Sequence, residues 1–411
     1  MSQGLSKANM SPLPLSGLRV MDLSWWIAGP HCTQILAAMG AEVIKVESLH
    51  HLDRYRRFEP WAEDIPGPNR SGRFNFLNYS KKSCTLNLSQ PEAVELAKRL
   101  AQTCDVVVEG FSYGVIERIG LSYPVLKKLN PGLIMLSLSI LGRTGPDRNL
   151  MGFGPVMLSF AGLTRLTSYP GGRPYRVGGT WPDYTVGVAM AFAILAALYH
   201  RRETGQGQYL DLALSETTLS FMPEAILDYT MNAIDRGPQG NRDDVMAPHG
   251  VYRCQGEDQW VALAVSSEEE WKAFCQIAGH PEWEKEFGDA LLRWQSQDEL
   301  DRRVTQWTQK HTPDEVAQQL RRVGIAATPC LNAAGLLQDP HLKERGAFVE
   351  IDHPEVGKRL YLGLPWKLSQ VPSPSYRPAP LLGQDNEYVF GEVLGLSASE
   401  IARLQEQKVI Y

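Results

Sequence analysis

LRVMDLSWWIAGPHCTQILAAMGAEVIKVE, residues 18–47, begins and ends on short apolar runs, LRVMDL (18–23) and EVIKVE (42–47), with the helical pattern PHCTQILAAMG between them. Runs of this length and composition suit strands buried on both faces. Two strands joined through a helix make a βαβ unit, and such a crossover implies a parallel pair. The alternation continues outward from this stretch. DVVVEG (105–110) and LIMLSLS (133–139) are further strand-like runs, and QPEAVELAKRLAQT is a further helix. The fold class that follows is α/β, with a large Rossmann-like domain on a parallel sheet and a smaller α+β domain. The turn after the first strand reads SWWIAGPHC and lacks GxGxxG, so a dinucleotide is not expected there.

With 411 residues the chain exceeds one compact core, which predicts two domains. The strand-to-helix segment GQGQYLDLALSE leads to a polar loop, DRGPQGNRDDVMAPHG (235–250), and then to VYRCQGEDQWVALAV (251–265), whose flanks predict a β-hairpin. A second domain starts there, with helices near 267–279, 297–310 and 313–322. The 41 Lys and Arg against 46 Asp and Glu leave a net charge of -5, which argues against nucleic acid as a partner.

Six scattered cysteines form no CxxC, and with nine histidines they form no zinc spacing. They predict reduced thiols, a cytoplasmic location and no metal. The opening MSQGLSKANMSPLPLSG has no apolar h-region, so secretion is not expected. The most apolar run, Val186 to Tyr199, falls short of the roughly 20 residues needed to span a bilayer and predicts a buried core helix rather than a membrane contact.

The turn GGTWPDYTVG (178–187) places Asp183 between a glycine pair and that helix. Aspartate there can cap the helix by accepting a first-turn N–H, and it can also serve as a carboxylate nucleophile. The readings differ in whether a substrate reaches the oxygen. In either, the helix dipole favours the anion, so activity should resist modest acidification. Trp25 and Trp26 stand at the carboxyl end of the first strand, where open α/β sheets bind ligands. Lys81, Lys82, Arg54, Arg56, Arg57 and Arg118 are candidate phosphate contacts. The histidines form no HExxH or triad spacing, which removes metal hydrolysis and Ser-His chemistry.

DLSWWIAGPHCTQILAAMGAEVIKVE, LNYSKKSCTLNL, VVVEGFSYGVIERIGLSYPVLKKLNPGLIMLSLSILGRTGP, the GGTWPDYTVG turn, HRRETGQGQYLDLAL and RPAPLLGQDN, taken in order, resemble the class III CoA-transferases from about Leu15 to the end. That family includes formyl-CoA:oxalate and carnitine CoA-transferases and shares its fold with α-methylacyl-CoA racemase. The resemblance implies a large CoA-binding domain over 1–225, a small domain over 226–350 and a C-terminal segment, 351–411, returning to the large domain. It also implies an interlocked homodimer or a heteromer with a homologous chain.

The resemblance further implies no permanent cofactor, with coenzyme A and acyl-CoA as substrates. Asp183 matches the family's nucleophile, which forms a mixed anhydride with the acyl group and then an aspartyl-CoA thioester before CoA passes to the acceptor acid. Lys45, Arg56, Asn78, Lys81, Gly110, Phe111 and Arg118 match positions that line CoA in relatives. Ser48 stands where relatives often carry a basic residue or proline.

A lid is expected because water must be excluded. ArgAspAspValMetAla (242–247) replaces the glycine run that closes over the aspartate in oxalate-type relatives, with Arg242 as a partner for a substrate carboxylate. Trp25, Trp26 and Tyr184, with Trp181, Tyr169 and Tyr175 nearby in sequence, imply a bulky or aromatic acid. The turn and the GlyAsnArg loop resemble those of benzylsuccinate CoA-transferase subunits, implying a succinyl-CoA donor and an aryl-substituted succinate such as benzylsuccinate as acceptor. Two rivals stand beside this reading. A racemase needs the histidine of its GlyHis step, and this chain has Gly152-Phe153 there. A non-catalytic subunit of a heteromeric transferase could keep Asp183 as a cap alone.

Overall fold

The computed structural model describes residues 12–178 and 180–411. The first part of MSQGLSKANMSPLPLSG and Gly179 of the glycine pair lie outside the described residues. Contacts divide the chain into a larger unit, running to Gly162 and including Val177–Ile226 and Glu344–Tyr411, and a smaller unit of Leu163–Arg176 and Leu227–Lys343. The resemblance implies a small domain over 226–350. The contact division adds a detached piece, Leu163–Arg176, and starts the return at Glu344.

The larger unit is built on six strands, β1 (Arg19–Asp22), β2 (Glu42–Glu47), β3 (Lys82–Thr85), β4 (Val106–Glu109), β5 (Ile134–Ser139) and β6 (Tyr209–Ala213). They lie in the order β3-β2-β1-β4-β5-β6, every neighbouring pair parallel. Order reverses between β1 and β4, the switch point at which doubly wound sheets open a crevice. Helix α1 (Ala28–Ala38) joins β1 to β2, α2 (Gly72–Asn78) precedes β3, and α3 (Pro91–Gln102) joins β3 to β4. The apolar face of α3, Ala93, Leu96, Ala97 and Leu100, packs with Met21, Ile44 and Val107 of the sheet and with Phe390 and Leu404 from the C-terminal segment. Each large side chain buried this way stabilises the fold by about 1.5–3 kcal/mol.

Strand β3, KSCT, was not legible in the sequence because it is a four-residue polar edge. Its outer side is covered by the RPAPLLGQDN segment, where Asp385 Oδ2 accepts the Ser83 N–H at 2.8 Å and Asn386 Oδ1 accepts the Thr85 N–H at 2.8 Å. Capping of this kind answers the open hydrogen bonds of an edge strand.

The Val186 helix extends from Trp181 to Thr204, 24 residues, and stops where Gly205 takes φ +72°. It is not the fully buried core helix expected. Val186, Met190, Ile194 and Ala197 are buried, whereas Val188, Phe192, Leu195 and Tyr199 are exposed, Phe192 at 73%. The sequence misled because both faces are apolar. Among the described residues this one helix is long and apolar enough to cross a membrane by length and composition, with 39% of its apolar window buried. It crosses α1 closely at Gly187, where a Cβ would stand 2.9 Å from the Ala28 carbonyl oxygen and 2.9 Å from His31 Cδ2.

In the smaller unit β7 (His249–Arg253) and β8 (Trp260–Ala264) form the expected hairpin, and β9 (Ala326–Pro329) adds to it antiparallel. Trp271, Phe274, Leu300, Val304, Trp307 and Leu320 fill its separate core.

Candidate active site

A cavity of about 1100 Å³ lies within the larger unit along the carboxyl ends of the strands. It runs from Ser89 and Gln90 after β3, past Ser48 after β2 and Trp25 and Trp26 after β1, to Gly110 and Phe111 after β4, and ends at Gly152 and Phe153. It therefore straddles the switch point, as the alternation in sequence predicts. Trp25 meets Phe111 edge-on at 5.9 Å, and Trp26 meets Phe153 at 5.2 Å, so the walls at one end are aromatic. Three guanidinium groups line it, Arg54, Arg118 and Arg148. None has an ion-pair partner among the described residues, and Arg148 rests 4.9 Å over the Tyr113 ring.

Lys45, Arg56, Asn78 and Lys81 are not on the cavity wall. Each is buried, with its head group bound to other groups of the chain rather than facing the cavity. Lys45 Nζ donates to the Ser24 carbonyl at 2.8 Å and pairs with Asp53 at 3.0 Å. Lys81 Nζ donates to Asp22 at 3.0 Å and to the Pro30 carbonyl and Asn78 Oδ1, both at 2.9 Å. The Asn78 amide nitrogen is held by the Phe74 carbonyl at 2.9 Å. Arg56 makes a bidentate pair with Glu47, donates to Asn69 at 2.9 Å and lies 3.5 Å over the Phe74 ring.

The short turn of helix Arg54–Arg57 thus sends Arg56 inward and Arg54 to the cavity. Both were visible as phosphate candidates, but only coordinates could separate them. Arg148 went unnoticed in GPDRN, which carries no signal beyond one cation in a turn.

This buried cluster shapes the turn that carries the tryptophans. Asp22 Oδ1 accepts the Ser24 N–H at 3.0 Å, and Asp53 Oδ1 accepts the Trp26 N–H at 3.3 Å. Trp26 has φ +68°, a region that a bulky side chain enters only when its surroundings enforce it, at about 1–3 kcal/mol. Burial opposes ionisation of Asp22, yet Lys81 and Lys45 prevail and hold its pKa well below the usual carboxylate range. Burial pushes Lys81 down to about 8, with Asp22 opposing the fall.

Asp183 is not the helix cap. The helix begins at Trp181 with Thr180 before it, so Asp183 stands third in the first turn. It is half-buried and has no ion-pair partner among the described residues. Burial pushes its carboxyl up to about 6, against the pull of its own backbone N–H. Burial thus works against the anion that the helix N-terminus favours. A Cβ added to Gly154 would stand 3.0 Å from Asp183 Oδ2, which sets the carboxylate beside the Gly152-Phe153 end of the cavity.

Tyr184 meets His31 at 5.1 Å and Phe76 at 6.3 Å, and burial pushes His31 down to about 4, so that imidazole is neutral. Trp181 packs instead on Phe221, 6.1 Å away. Tyr169, Tyr175 and Arg242 belong to the smaller unit. Arg242, expected as a partner for a substrate carboxylate, pairs there with Asp301 at 3.0 Å and with Asp298.

The model of CoA-transferase family III matches residues 15–386. The chain is 33% identical over 401 residues to the succinyl-CoA–D-citramalate CoA-transferase of Chloroflexus aurantiacus, covering 97% of this chain and 98% of that one. It is also 33% identical over 404 residues to the succinyl-CoA–L-malate CoA-transferase alpha subunit of the same organism, covering 97% and 93%. Among solved structures, a CAIB/BAIF family protein from Brucella suis superposes with a TM-score of 0.84 at 28% identity, over 93% of this chain and all of the other.

Proposed function

From its membership of CoA-transferase family III, which makes this chain a CoA-transferase, we propose that Asp183 is the nucleophile and that CoA passes from succinyl-CoA to a bulky, substituted succinate. The observation that carries the assignment is an unpaired, half-buried carboxylate beside Gly154 at the aromatic end of a cavity spanning the switch point. No cation pairs with that carboxylate among the described residues, and the pathway requires a free anion.

The chemistry balances in four exchanges. Asp183 attacks the donor's acyl carbon and expels CoA thiolate, leaving a mixed anhydride. The thiolate attacks the aspartyl carbonyl, releasing succinate and forming an aspartyl-CoA thioester. A carboxylate of the acceptor attacks that thioester and expels the thiolate again. The thiolate then takes the acceptor's acyl group, and Asp183 returns as carboxylate. Covalent splitting keeps the acyl-transfer energy of the thioester in a mixed anhydride or an aspartyl thioester through every step. Arg54, Arg118 and Arg148 would meet the phosphates of CoA, and Trp25 and Phe111 would flank its pantetheine. Arg54 then replaces the contact that Ser48 cannot make.

The aromatic wall of Trp26 and Phe153 supports a bulky acceptor, and D-citramalate and L-malate in the relatives' names support a substituted succinate. Phe153 at the cavity edge has no proton to exchange, which disfavours the racemase reading. We further propose that the chain acts as a dimer, of itself or with a homologous subunit, through the exposed apolar face of the Trp181–Thr204 helix.

A panel of carboxylic acids, including malate, citramalate, phenylsuccinate, benzylsuccinate and oxalate, incubated with succinyl-CoA tests the specificity by mass spectrometry of the CoA esters. Substituted succinates should lead the panel. Oxalate turning over fastest would contradict the assignment, and activity appearing only on co-expression with a homologue would make the working form a heteromer.

A further inference from the structure

We propose that Arg73 is the seat for the distal carboxylate of a dicarboxylic acyl group or acceptor bound at Asp183, an inference that rests on Asp183 being the nucleophile. Arg73 occupies the second position of α2, where Phe74 and Asn75 turn inward and Arg73 itself is exposed. No acid pairs with it among the described residues, unlike Arg56 and Arg70 close by, which are bound to Glu47 and Glu63. Its guanidinium lies 5.5 Å over the Tyr55 ring. Tyr55 and Tyr184 share one apolar cluster with Trp26 and Phe76, so the same wall reaches from the Trp26-Phe153 end of the cavity to Arg73.

The charges of Arg73 and Asp183 both act on the two tyrosines of this wall. Burial raises the pKa of both tyrosine hydroxyls, Arg73 opposes the rise at each, and the charge of Asp183 adds to it at each. Asp183 itself carries no cation among the causes of its shift. Arg73 and Asp183 therefore both act on the two tyrosines without pairing with one another. A monocarboxylate joined to Asp183 would offer the guanidinium no anion and leave it on Tyr55 alone. A succinate skeleton offers a second carboxylate to it, and a charged, planar donor suits that group better than a hydroxyl does.

The test is the rate of acylation of Asp183 by succinyl-CoA and by butyryl-CoA, two donors of equal chain length that differ in the distal carboxylate, followed by rapid quench and peptide mass. Wild-type protein should prefer succinyl-CoA. Arg73→Gln should lose about 10- to 100-fold with succinyl-CoA and less than about 2-fold with butyryl-CoA, and Arg73→Lys should recover part of the loss. Butyryl-CoA serves as the control for folding and CoA binding. An equal loss on both donors, or an unchanged ratio with Asp183 still acylated, overturns the role of Arg73 alone. Absence of acylation at Asp183 in wild-type protein from either donor overturns the nucleophile and this inference with it.

Discussion

Asp183 stands in the first turn of a 24-residue helix, and removal from water pushes its carboxyl upward. Its folded pKa is raised from 3.8 to about 6. Between those values the unfolded chain loses its proton first, so stability falls as pH rises across the window. Above it the folded state carries a cost of at most roughly 3 kcal/mol. Asp183→Asn removes that charge and should melt a few degrees higher than the parent at pH 7, with the gap closing near pH 4, while transfer falls by at least about 1000-fold. Calorimetry beside a transfer assay checks both, and an Asn variant that melts lower at pH 7 would contradict the burial argument.

The same group sets the pH profile. Below about pH 6, kcat/KM should fall about tenfold per unit, with a plateau above. A profile flat to pH 5 would mean that the dipole governs after all. At this scale the sequence was legible for residue type more than for role. The cations at 45, 56 and 81 cannot be told from ligands by sequence, because the turn after β2 folds Asp53 onto Lys45 and Glu47 onto Arg56, and Asp22 reaches Lys81 from 59 residues away.

The helices and strands matter to the site through where they end and how closely they cross. Gly187 lets the Trp181–Thr204 helix meet the first turn of α1, which brings Asp183 to the end of the cavity. Gly187→Val would drive a branched side chain into the Ala28 carbonyl and His31. The expected result is a loss of about 1–3 kcal/mol of stability together with impaired transfer, read from thermal midpoint and activity. An unchanged midpoint with full activity would show that the helices can part without consequence.

The apolar elements are legible because β1, β2, β4 and β5 are mostly buried and mostly apolar along their length. Strand β3 was missed because its hydrogen bonds are answered by side chains some 300 residues later, a dependence that no local pattern carries. The long helix was misjudged for the opposite reason, since an apolar face left exposed looks in sequence like a buried one.

Across the whole larger unit, one crevice at the strand ends collects guanidinium groups and an aromatic wall, with the Asp183 carboxylate beside Gly154 next to its Phe153 end, while Lys45 and Asp53 are spent on holding the Ser24-Trp26 turn. The alternation of strands and helices made the crevice legible; the identity of the arginines lining it depended on which way each short turn faced. Everything proposed for catalysis runs through a covalent bond to one oxygen of one residue. Incubation with succinyl-CoA without an acceptor, quenching into hydroxylamine and mapping the product by peptide mass spectrometry tests that bond directly. The account predicts a hydroxamate at Asp183 alone. Label at any other residue, or full transfer with no adduct formed, would contradict it.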